Sequence, residues 1–349
     1  MYLHRYAQLF SSLLPLGGAA IPPSYTIDIH SHIIPDFYRE AMINSGYELR
    51  NESVLWADGT PIPEWTIQEH LSSMDANGID YSVLSISAPG VAFLHGNPIA
   101  VDLSRRVNEY MHNLTLLHPK RLGAFCLLPL PNVEASLVEI DYCIDKLNFA
   151  GVGLFTNHDG HYLGDAHLDP ILERLHERNI PVFVHPTVPK CWHTVSHGIV
   201  PPMLEFPFDT TRAIVNLFFS GARKRFSNFT MVFCHGGGVL PYLADRVATL
   251  SAIPRFGGFD RKEAETQFRS YHFDLASATS VSQLAALKEF VGVDKLLVGT
   301  DFPFVPGPRG KAFIQGFQED GVFTDQEVRR IKHGNVLGIL PRVKAKIGA

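Results

Sequence analysis

Two histidines one residue apart, His30 and His32, end an apolar run near the start of the chain. Residues i and i+2 of a β-strand lie on the same face, so both imidazoles can point at one position. Imidazole nitrogen is a preferred ligand of zinc and of neighbouring divalent metals. On its own, however, such a pair could also be simply packed and hydrogen-bonded in a core.

Three more side chains that can bind a metal or transfer a proton lie at the ends of apolar runs later in the chain. His185 ends Val-Phe-Val-His, His235 precedes three glycines, and Asp301 lies in Gly-Thr-Asp-Phe-Pro-Phe. Three neutral imidazoles and a carboxylate form a good mononuclear site that leaves a position open for water or substrate. The predicted metal ligands are His30, His32, His185 and Asp301. His235 remains as an acid, a base or a group that polarises the substrate.

The elements that would position these groups alternate along the chain. The predicted strands are residues 26–32, 80–87, 121–130, 151–156, 181–185, 230–235, 272–276 and 295–300. The predicted helices include residues 98–117, 133–147, 168–178, 210–224 and 325–337. Eight apolar strands alternating with helices predict an α/β fold, a (β/α)8 TIM barrel whose strand ends meet at one mouth. An open doubly wound sheet competes, but no glycine-rich phosphate motif follows the first strand.

Two stretches, residues 48–65 and 186–207, are too long and irregular for plain barrel loops. We expect both to be insertions over the C-terminal mouth of the barrel, where long loops tend to be functional, although a structural lid packed by its tryptophans explains the first stretch equally well. Residues 1–24 are expected to form an N-terminal extension, and residues 25–349 a single metal-dependent domain.

The composition excludes several classes of protein. The 349 residues are 46% hydrophobic and 19% charged, which is typical of a soluble globular protein. The net charge of -5 argues against nucleic acid as a partner. Because no apolar run reaches the roughly 18 residues of a membrane span, no membrane association is expected. Cys126 and Cys234 lie in apolar runs where buried, reduced thiols are expected, which favours a cytoplasmic location.

The combination of His-x-His, His-Pro, His-Gly-Gly-Gly and Gly-Thr-Asp-x-Pro-Phe resembles the amidohydrolase superfamily. Within it, the pattern resembles the aminocarboxymuconate-semialdehyde decarboxylase branch, which includes resorcylate, isoorotate and 6-methylsalicylate decarboxylases. The resemblance extends from about Tyr25 to Leu340. It implies one divalent metal, Zn²⁺ or alternatively Mn²⁺, non-oxidative C–C cleavage without an organic cofactor, and a homodimer or higher homo-oligomer.

The resemblance also assigns roles to individual residues. The four predicted ligands match the metal ligands of the family, and His235 matches its catalytic histidine. Arg246 matches an arginine that some members send into the active site of a neighbouring subunit, although a solvated helix arginine explains it equally well. Phe304 matches a ring that lies against planar substrates, and packing at the barrel rim is the alternative.

Departures from the family pattern limit the class of substrate that we expect. Members that act on aminocarboxymuconate semialdehyde, which has two carboxylates, carry a substrate-binding arginine in the loop after strand one. The corresponding stretch here, residues 56–60, contains no arginine. A second carboxylate would lack its bidentate partner, so a single-carboxylate aromatic such as an alkyl salicylate is expected. The apolar residues expected near the mouth are Trp56, Trp65, Phe93, Trp192 and Phe304. Strand four contains no lysine to bridge two metals, which favours one metal.

The expected reaction is protonation of the ring carbon that bears the carboxylate, followed by loss of CO₂. Either Asp301 or His235 delivers the proton, with Asp301 preferred and His235 holding the substrate or a bound water. Two other functions stay open from the residues. One is a mononuclear hydrolase of a lactone or amide, and the other is a binding protein that holds a metal without turnover.

Overall fold

The computed structural model describes residues 21–305 and 321–349. Eight parallel strands form one sheet in which each strand pairs with the next along the chain. They are β1 (Ile27–Ile33), β2 (Tyr81–Ile86), β3 (Leu122–Leu127), β4 (Gly151–Phe155), β5 (Val182–His185), β6 (Met231–Phe233), β7 (His272–Asp274) and β8 (Leu296–Leu297). All eight predicted strands are therefore confirmed.

The sheet closes on itself through the residues that follow β8. Ile29 N donates to Val298 O at 3.1 Å, and His32 N donates to Phe302 O at 2.7 Å. Ser31 also forms an isolated parallel bridge with Phe302. With helices outside the strands, this closure confirms the predicted (β/α)8 barrel.

Helices surround the barrel and connect its strands. The α-helices of the described residues are α1 (Asp36–Asn44), α2 (Ile67–Asn77), α3 (Ile99–Leu117), α4 (Val133–Asp145), α5 (Asp169–Arg178), α6 (Trp192–Val195), α7 (Glu205–Phe219), α8 (Ala222–Arg225), α9 (Leu240–Ser251), α10 (Arg261–Phe268), α11 (Val281–Val291), α12 (Asp325–Arg329), α13 (Asn335–Ile339) and α14 (Pro341–Ile347). Short 3₁₀ turns lie at Ala92–Leu94, Ala166–Leu168, Pro201–Met203, His235–Gly237, Pro254–Phe256 and Val293–Lys295. A π-helical turn, Arg330–Gly334, joins α12 to α13.

Two helical boundaries show how local chemistry decides where helices begin and end. The predicted helix at residues 210–224 begins earlier, at Glu205, and is interrupted at Gly221, whose φ of 67° does not fit a helix. The closing helical segment begins after Thr324, as predicted. The Thr324 side chain accepts a hydrogen bond from Glu327 N, and the Glu327 side chain accepts one from Thr324 N, which forms a capping box.

One irregularity in β1 affects the direction of the site residues. The register with β2 shifts between Asp28 and Ser31, which leaves one extra residue on β1, as at a β-bulge. Ile29 then packs in the barrel interior, whereas Ile33 packs outward against the helices. Strict alternation would place these two isoleucines on one face. The bulge therefore changes the face that β1 presents to the interior as it reaches the mouth.

The barrel interior is a separate apolar cluster beneath the mouth. The rings of Phe125 and Phe183 stack there with centroids 5.1 Å apart, and Phe183 also packs 5.2 Å from the ring of His30. The cluster continues to Val336 and Val343 near the end of the chain, so the last helices close the barrel at its opposite end. The site residues consequently lie on a packed apolar base.

One expectation about the cysteines is wrong. Cys126, expected as a reduced thiol, is paired in a disulfide with Cys143, while Cys234 is a buried free thiol as expected. The pairing arises because α4 packs against β3 and brings the two Cα atoms to 5.9 Å. Cys126 therefore no longer supports a reducing compartment.

The first insertion, residues 48–65, forms a small antiparallel hairpin from Leu49–Arg50 and Ser53–Val54. Its two tryptophans differ in position. Trp65 is buried and packs against His70 and Tyr110, whereas Trp56 reaches the barrel mouth. Most of the predicted N-terminal extension, residues 1–24, lies outside the described residues. Within the described part of the chain, no helix combines the length and apolarity needed to cross a membrane.

Replacing Phe183 by alanine tests the packed base beneath the site. Because the ring is 1% exposed, we expect Phe183→Ala to lower the free energy of unfolding by about 3–5 kcal/mol. Phe256→Ala serves as the control, since Phe256 is 46% exposed and its loss should cost about 0.5 kcal/mol or less. Denaturant unfolding measures both variants. Equal destabilisation by the two variants would contradict the described packing.

Candidate metal centre

The predicted ligands converge at the mouth of the barrel. The Nε2 atoms of His30 and His32 lie 3.1 Å apart, and they lie 3.3 Å and 3.2 Å from Asp301 Oδ1. The ring of His185 completes the group, with its centroid 5.3 Å from that of His30 and 4.9 Å from that of His32. His235 joins the same cluster, because its Nε2 is 3.5 Å from Asp301 Oδ2. All five site residues predicted at strand ends therefore meet at one place.

Each of the three buried histidines has its Nδ1 occupied by a partner outside the cluster. His30 Nδ1 lies 2.9 Å from Asp274 Oδ2, and His185 Nδ1 lies 2.7 Å from the Pro186 carbonyl oxygen. Both partners accept hydrogen bonds, so Nδ1 donates and, in the neutral ring, the lone pair is on Nε2. Such partners fix the tautomer and orientation of metal-binding histidines.

His32 reaches the same tautomer through Ser85. The Ser85 hydroxyl donates to the Ser31 carbonyl oxygen at 3.0 Å, so its proton is already used. At 3.0 Å from His32 Nδ1, the same hydroxyl oxygen therefore accepts the Nδ1 proton. His32 Nε2 is left with its lone pair directed into the cluster.

Asp274, at the end of β7, organises the site and was not predicted from the sequence. Its Oδ2 holds His30, while its Oδ1 accepts from the backbone N–H groups of His235 at 3.1 Å and Ala276 at 3.0 Å. The fully buried carboxylate thus fixes both a candidate ligand and the backbone of the candidate catalytic histidine. The available signal was an acidic residue at the end of the seventh apolar strand, the same place as the other site residues.

Asp28 is a second carboxylate that sequence reasoning missed. Its Oδ1 accepts from His30 N at 2.9 Å and Thr300 N at 3.1 Å, and its Oδ2 accepts from Thr300 Oγ1 at 2.6 Å. Asp301 N in turn donates to the His30 carbonyl oxygen at 2.8 Å. Asp28 therefore joins β1 to the segment that carries Asp301.

The chemistry of Asp301 fits a cation. Its buried Oδ1 makes no hydrogen bond of acceptable geometry, although two imidazole Nε2 atoms are near. Burial alone would raise the pKa of Asp301, but the charge of His30 and a hydrogen bond from His235 outweigh burial and hold the pKa well below its ordinary value. Lone pairs directed at a common point from an ionised carboxylate and imidazoles form the donor set of a divalent metal.

Burial keeps two of the imidazoles in the form that binds metal. It lowers the pKa of His32 to about 4 and holds the pKa of His185 well below its ordinary value, with neighbouring histidines adding to the effect at His185. Metal binding requires neutral imidazole. For His30, burial would lower the pKa, but electrostatic interactions with Cys234, Asp274 and Asp301 outweigh burial and raise the pKa.

Two of the site residues have a strained backbone. His235 has a φ of 54° and Asp301 a φ of 59°, in the left-handed region that side chains other than glycine rarely adopt. Strain of this kind persists where the surrounding structure fixes it, and it concentrates at functional sites. Here two hydrogen bonds supply that constraint: His235 N donates to Asp274 Oδ1, and Asp301 N donates to the His30 carbonyl oxygen.

A cavity of about 650 Å³ opens above the cluster. The two insertions line it together with the segments that follow the strands. Its described lining residues that bear acidic or imidazole side chains are Asp58, His185, His235 and Asp301, and none of the described lining residues is lysine or arginine. The described lining of the cavity is therefore largely apolar.

The predicted aromatic residues divide between the cavity and the core. Phe304 lines the cavity with its ring centroid 5.6 Å from that of His32 and 6.3 Å from that of Trp56. Trp56 and Trp192 also line it. The expectation is wrong for Trp65 and Phe93, which are not among the lining residues. Phe93 packs against the rings of Tyr38 and Tyr47, 5.9 Å and 5.8 Å away.

Arg246 lies apart from these residues. It is exposed on α9 and does not line the cavity of its own chain. The predicted contribution to the site of a neighbouring subunit needs such an outward position, and it stays a prediction.

A buried carboxylate on α7 holds the loop that follows His185. Asp209 accepts hydrogen bonds from Thr156 Oγ1 and from Asn157 Nδ2. Thr156 Oγ1 accepts in turn from Thr187 N at 3.0 Å, and Asn157 Nδ2 also donates to Val188 O at 3.1 Å. Thr187 and Val188 line the cavity. Asp209 therefore fixes part of the cavity wall.

Several known proteins are similar to this chain. A 6-methylsalicylic acid decarboxylase from Penicillium expansum is 31% identical over 322 residues, which cover 91% of this chain and 97% of that protein. A 2-amino-3-carboxymuconate-6-semialdehyde decarboxylase from Dictyostelium discoideum is 25% identical, over 91% of this chain and 92% of that protein.

Among solved structures, a 5-carboxyvanillate decarboxylase from Novosphingobium aromaticivorans in complex with manganese has the same fold. It has a TM-score of 0.79 at 19% identity and covers 91% of this chain and 96% of that one. The family described as Amidohydrolase matches residues 27–341. The resemblance found in the sequence is thereby confirmed, and the chain belongs to the amidohydrolase family, in the branch that contains these decarboxylases.

Proposed function

We propose that this protein is a metal-dependent, non-oxidative decarboxylase of a small aromatic carboxylic acid of the salicylate type, such as 6-methylsalicylate. The observation that carries the proposal is the convergence of imidazole Nε2 atoms and the Asp301 carboxylate at the base of a largely apolar cavity. The relative that is 31% identical over nearly the whole chain is a decarboxylase of that acid, which supports both the reaction and the substrate.

The residues present fit one divalent metal. His30, His32, His185 and Asp301 would hold it, since their donor atoms point at one place and Asp301 Oδ1 has no other partner. When bound, such an ion supplies a Lewis acid that attracts the oxygens of the substrate and stabilises negative charge. We propose Zn²⁺, with Mn²⁺ as the alternative because both accept nitrogen and carboxylate ligands. We also propose that the reaction needs no organic cofactor.

The reaction requires one proton at the ring carbon that bears the carboxylate. Once this carbon is protonated, the C–C bond to the carboxylate breaks, its electron pair restores the aromatic ring, and CO₂ leaves. Asp301 Oδ2 and His235 Nε2, 3.5 Å apart, are the two atoms that would carry the proton. We prefer Asp301 Oδ2, because Oδ1 faces the imidazoles of His30 and His32 while Oδ2 faces His235, which would supply the proton that Oδ2 passes to the ring carbon. His235 would then hold the substrate.

Other residues of the chain would orient the ring and limit water. The ring of Phe304 lies beside that of His32, so it offers an aromatic surface to a planar substrate next to the cluster. Trp56 from the first insertion packs near Phe304 on the same side of the cavity. With no described lysine or arginine in the lining, a second substrate carboxylate would find no cationic partner.

The two alternatives are less well supported. A hydrolase of a lactone or amide uses a similar ligand set, but the named relatives that match nine tenths of this chain are decarboxylases. A binding protein without turnover would have no use for His235, which faces the cavity next to Asp301 in a strained conformation.

Three further expectations belong to this proposal. We propose a homodimer or larger homo-oligomer in which Arg246 reaches the site of a neighbouring subunit. We propose a cytoplasmic location. We also propose that residues 25–349 act as one domain, with residues 1–24 as an extension.

Supplying two kinds of substrate tests the reaction class. The metal-loaded protein should release CO₂ from 6-methylsalicylate and no acid from simple lactones. Removing metal with a chelator should abolish CO₂ release while far-UV circular dichroism stays unchanged, because the metal supplies Lewis acidity and the barrel core lies beneath it. Adding Zn²⁺ or Mn²⁺ should restore turnover. Acid release without CO₂ would instead establish the hydrolase.

Substitution of the two proton-carrying residues separates their roles. Asp301→Asn should lose both bound metal and turnover. His235→Asn should keep the metal and lower kcat by about 100-fold, since losing the group that holds the substrate in place can cost about that much in rate. The exposed His161 provides the control His161→Asn, with both properties unchanged. Metal analysis and CO₂ release report the two properties. An Asp301→Asn variant with its metal and full turnover would refute the assignment.

Asp274→Asn tests the carboxylate behind the metal site. Because Asp274 orients His30 through Nδ1, its substitution should weaken metal affinity by about 10- to 100-fold, as is typical for such partners. Competition with a chromophoric chelator measures this affinity. Asp245→Asn, an exposed site on α9, is the matched control. Unchanged affinity in Asp274→Asn would show that His30 needs no such partner.

A further inference from the structure

The cavity is much larger than one small aromatic ring. Its volume is about 650 Å³, whereas a cavity of about 150 Å³ is enough to hold benzene. A carboxylate, a hydroxyl and a methyl group add only a few atoms to such a ring. Most of the cavity therefore remains unfilled when a small salicylate lies at the metal centre.

The unfilled space has an apolar wall that begins at the metal centre. We define this apolar wall as Val200, Pro201, Met203, Phe206 and Val239, which all line the cavity. Phe206 stands next to the metal ligand, because its ring centroid is 5.8 Å from that of His185. At the other extreme, Met203 is 74% exposed. The wall therefore leads from the reacting centre to a methionine that has little packed against it.

The wall selects against charge. It contains no ionisable side chain, and the imidazole of His185 adjoins it at Phe206, the end nearest the metal centre. A charged or strongly polar group placed there would lose hydration without gaining a partner. An apolar group would instead gain from leaving water, and a flexible thioether such as that of Met203 adapts well to such contacts.

We propose that the substrate carries an apolar chain longer than a methyl group, and that this chain lies on the apolar wall while the carboxylate faces the metal centre. The chemical class is a 6-alkylsalicylate with a side chain of about four or more carbons, and the product is the corresponding 3-alkylphenol. This inference rests on the proposed function, because the carboxylate must be bound at the metal centre for the chain to reach the wall.

A comparison of 6-methylsalicylate with 6-pentylsalicylate tests the inference. Each buried methylene contributes up to about fourfold in binding. With the chain partly exposed at Met203, we expect kcat/KM to be at least about tenfold higher for the pentyl compound. An equal or lower kcat/KM for the pentyl compound would overturn the inference while leaving the proposed function intact.

Two variants of the second insertion locate the chain. Met203→Ser should reduce the advantage of the pentyl compound over the methyl compound several-fold. Ile199→Ser is the matched control, since Ile199 is exposed on the same insertion and does not line the cavity, and it should leave the ratio unchanged. Equal ratios in the two variants would show that the chain does not lie on the apolar wall.

A binding measurement separates failure of this inference from failure of the proposed function. If neither acid releases CO₂ with metal-loaded protein, the proposed reaction is wrong. Calorimetric titration with 3-methylphenol and 3-pentylphenol then tests the wall by itself, because it requires no turnover. Tighter binding of 3-pentylphenol, lost in Met203→Ser, supports the apolar wall, and equal or weaker binding overturns it.

Discussion

The site depends on lone pairs that converge in a space where water is largely excluded. Imidazole Nε2 atoms and Asp301 Oδ1 approach within 3.1–3.3 Å of one another, and the buried Asp301 Oδ1 accepts no hydrogen bond of good geometry. Such an arrangement is unfavourable by itself, because buried polar atoms without partners cost free energy. A divalent cation removes that cost, since it accepts all these lone pairs at once. The same convergence that makes the cluster unfavourable without a cation therefore makes it selective for one.

The fold maintains this arrangement through hydrogen bonds made to the outer side of the candidate ligands. Asp274, Ser85 and the Pro186 carbonyl each take an Nδ1 proton and so direct the lone pair of Nε2 inward. The positive φ values of His235 and Asp301 show that the backbone is also constrained where β6 and β8 end. Parallel strands make this possible, because their C-terminal ends open to one mouth while the side chains beneath them pack as a dry core.

Much of this could be predicted from the sequence, and for a physical reason. Parallel strands buried on both faces are nearly continuous apolar runs, and the barrel places the residues that end them at one mouth. The strand positions and the convergence of His30, His185 and Asp301 followed from these two facts. Asp274 escaped notice because its role depends on a contact with His30, 244 positions away in the chain. The Cys126–Cys143 disulfide and the burial of Trp65 likewise depend on how a helix or an insertion packs, which spacing does not reveal.

Anomalous X-ray diffraction from crystals of the purified protein, with data collected at the zinc and manganese absorption edges, tests the central claim most directly. The account predicts one strong anomalous peak per chain, at about 2.0–2.2 Å from His30 Nε2, His32 Nε2, His185 Nε2 and an oxygen of Asp301. It would be contradicted by active protein with no anomalous peak at either edge, or by a peak bound to other side chains while these four groups coordinate nothing.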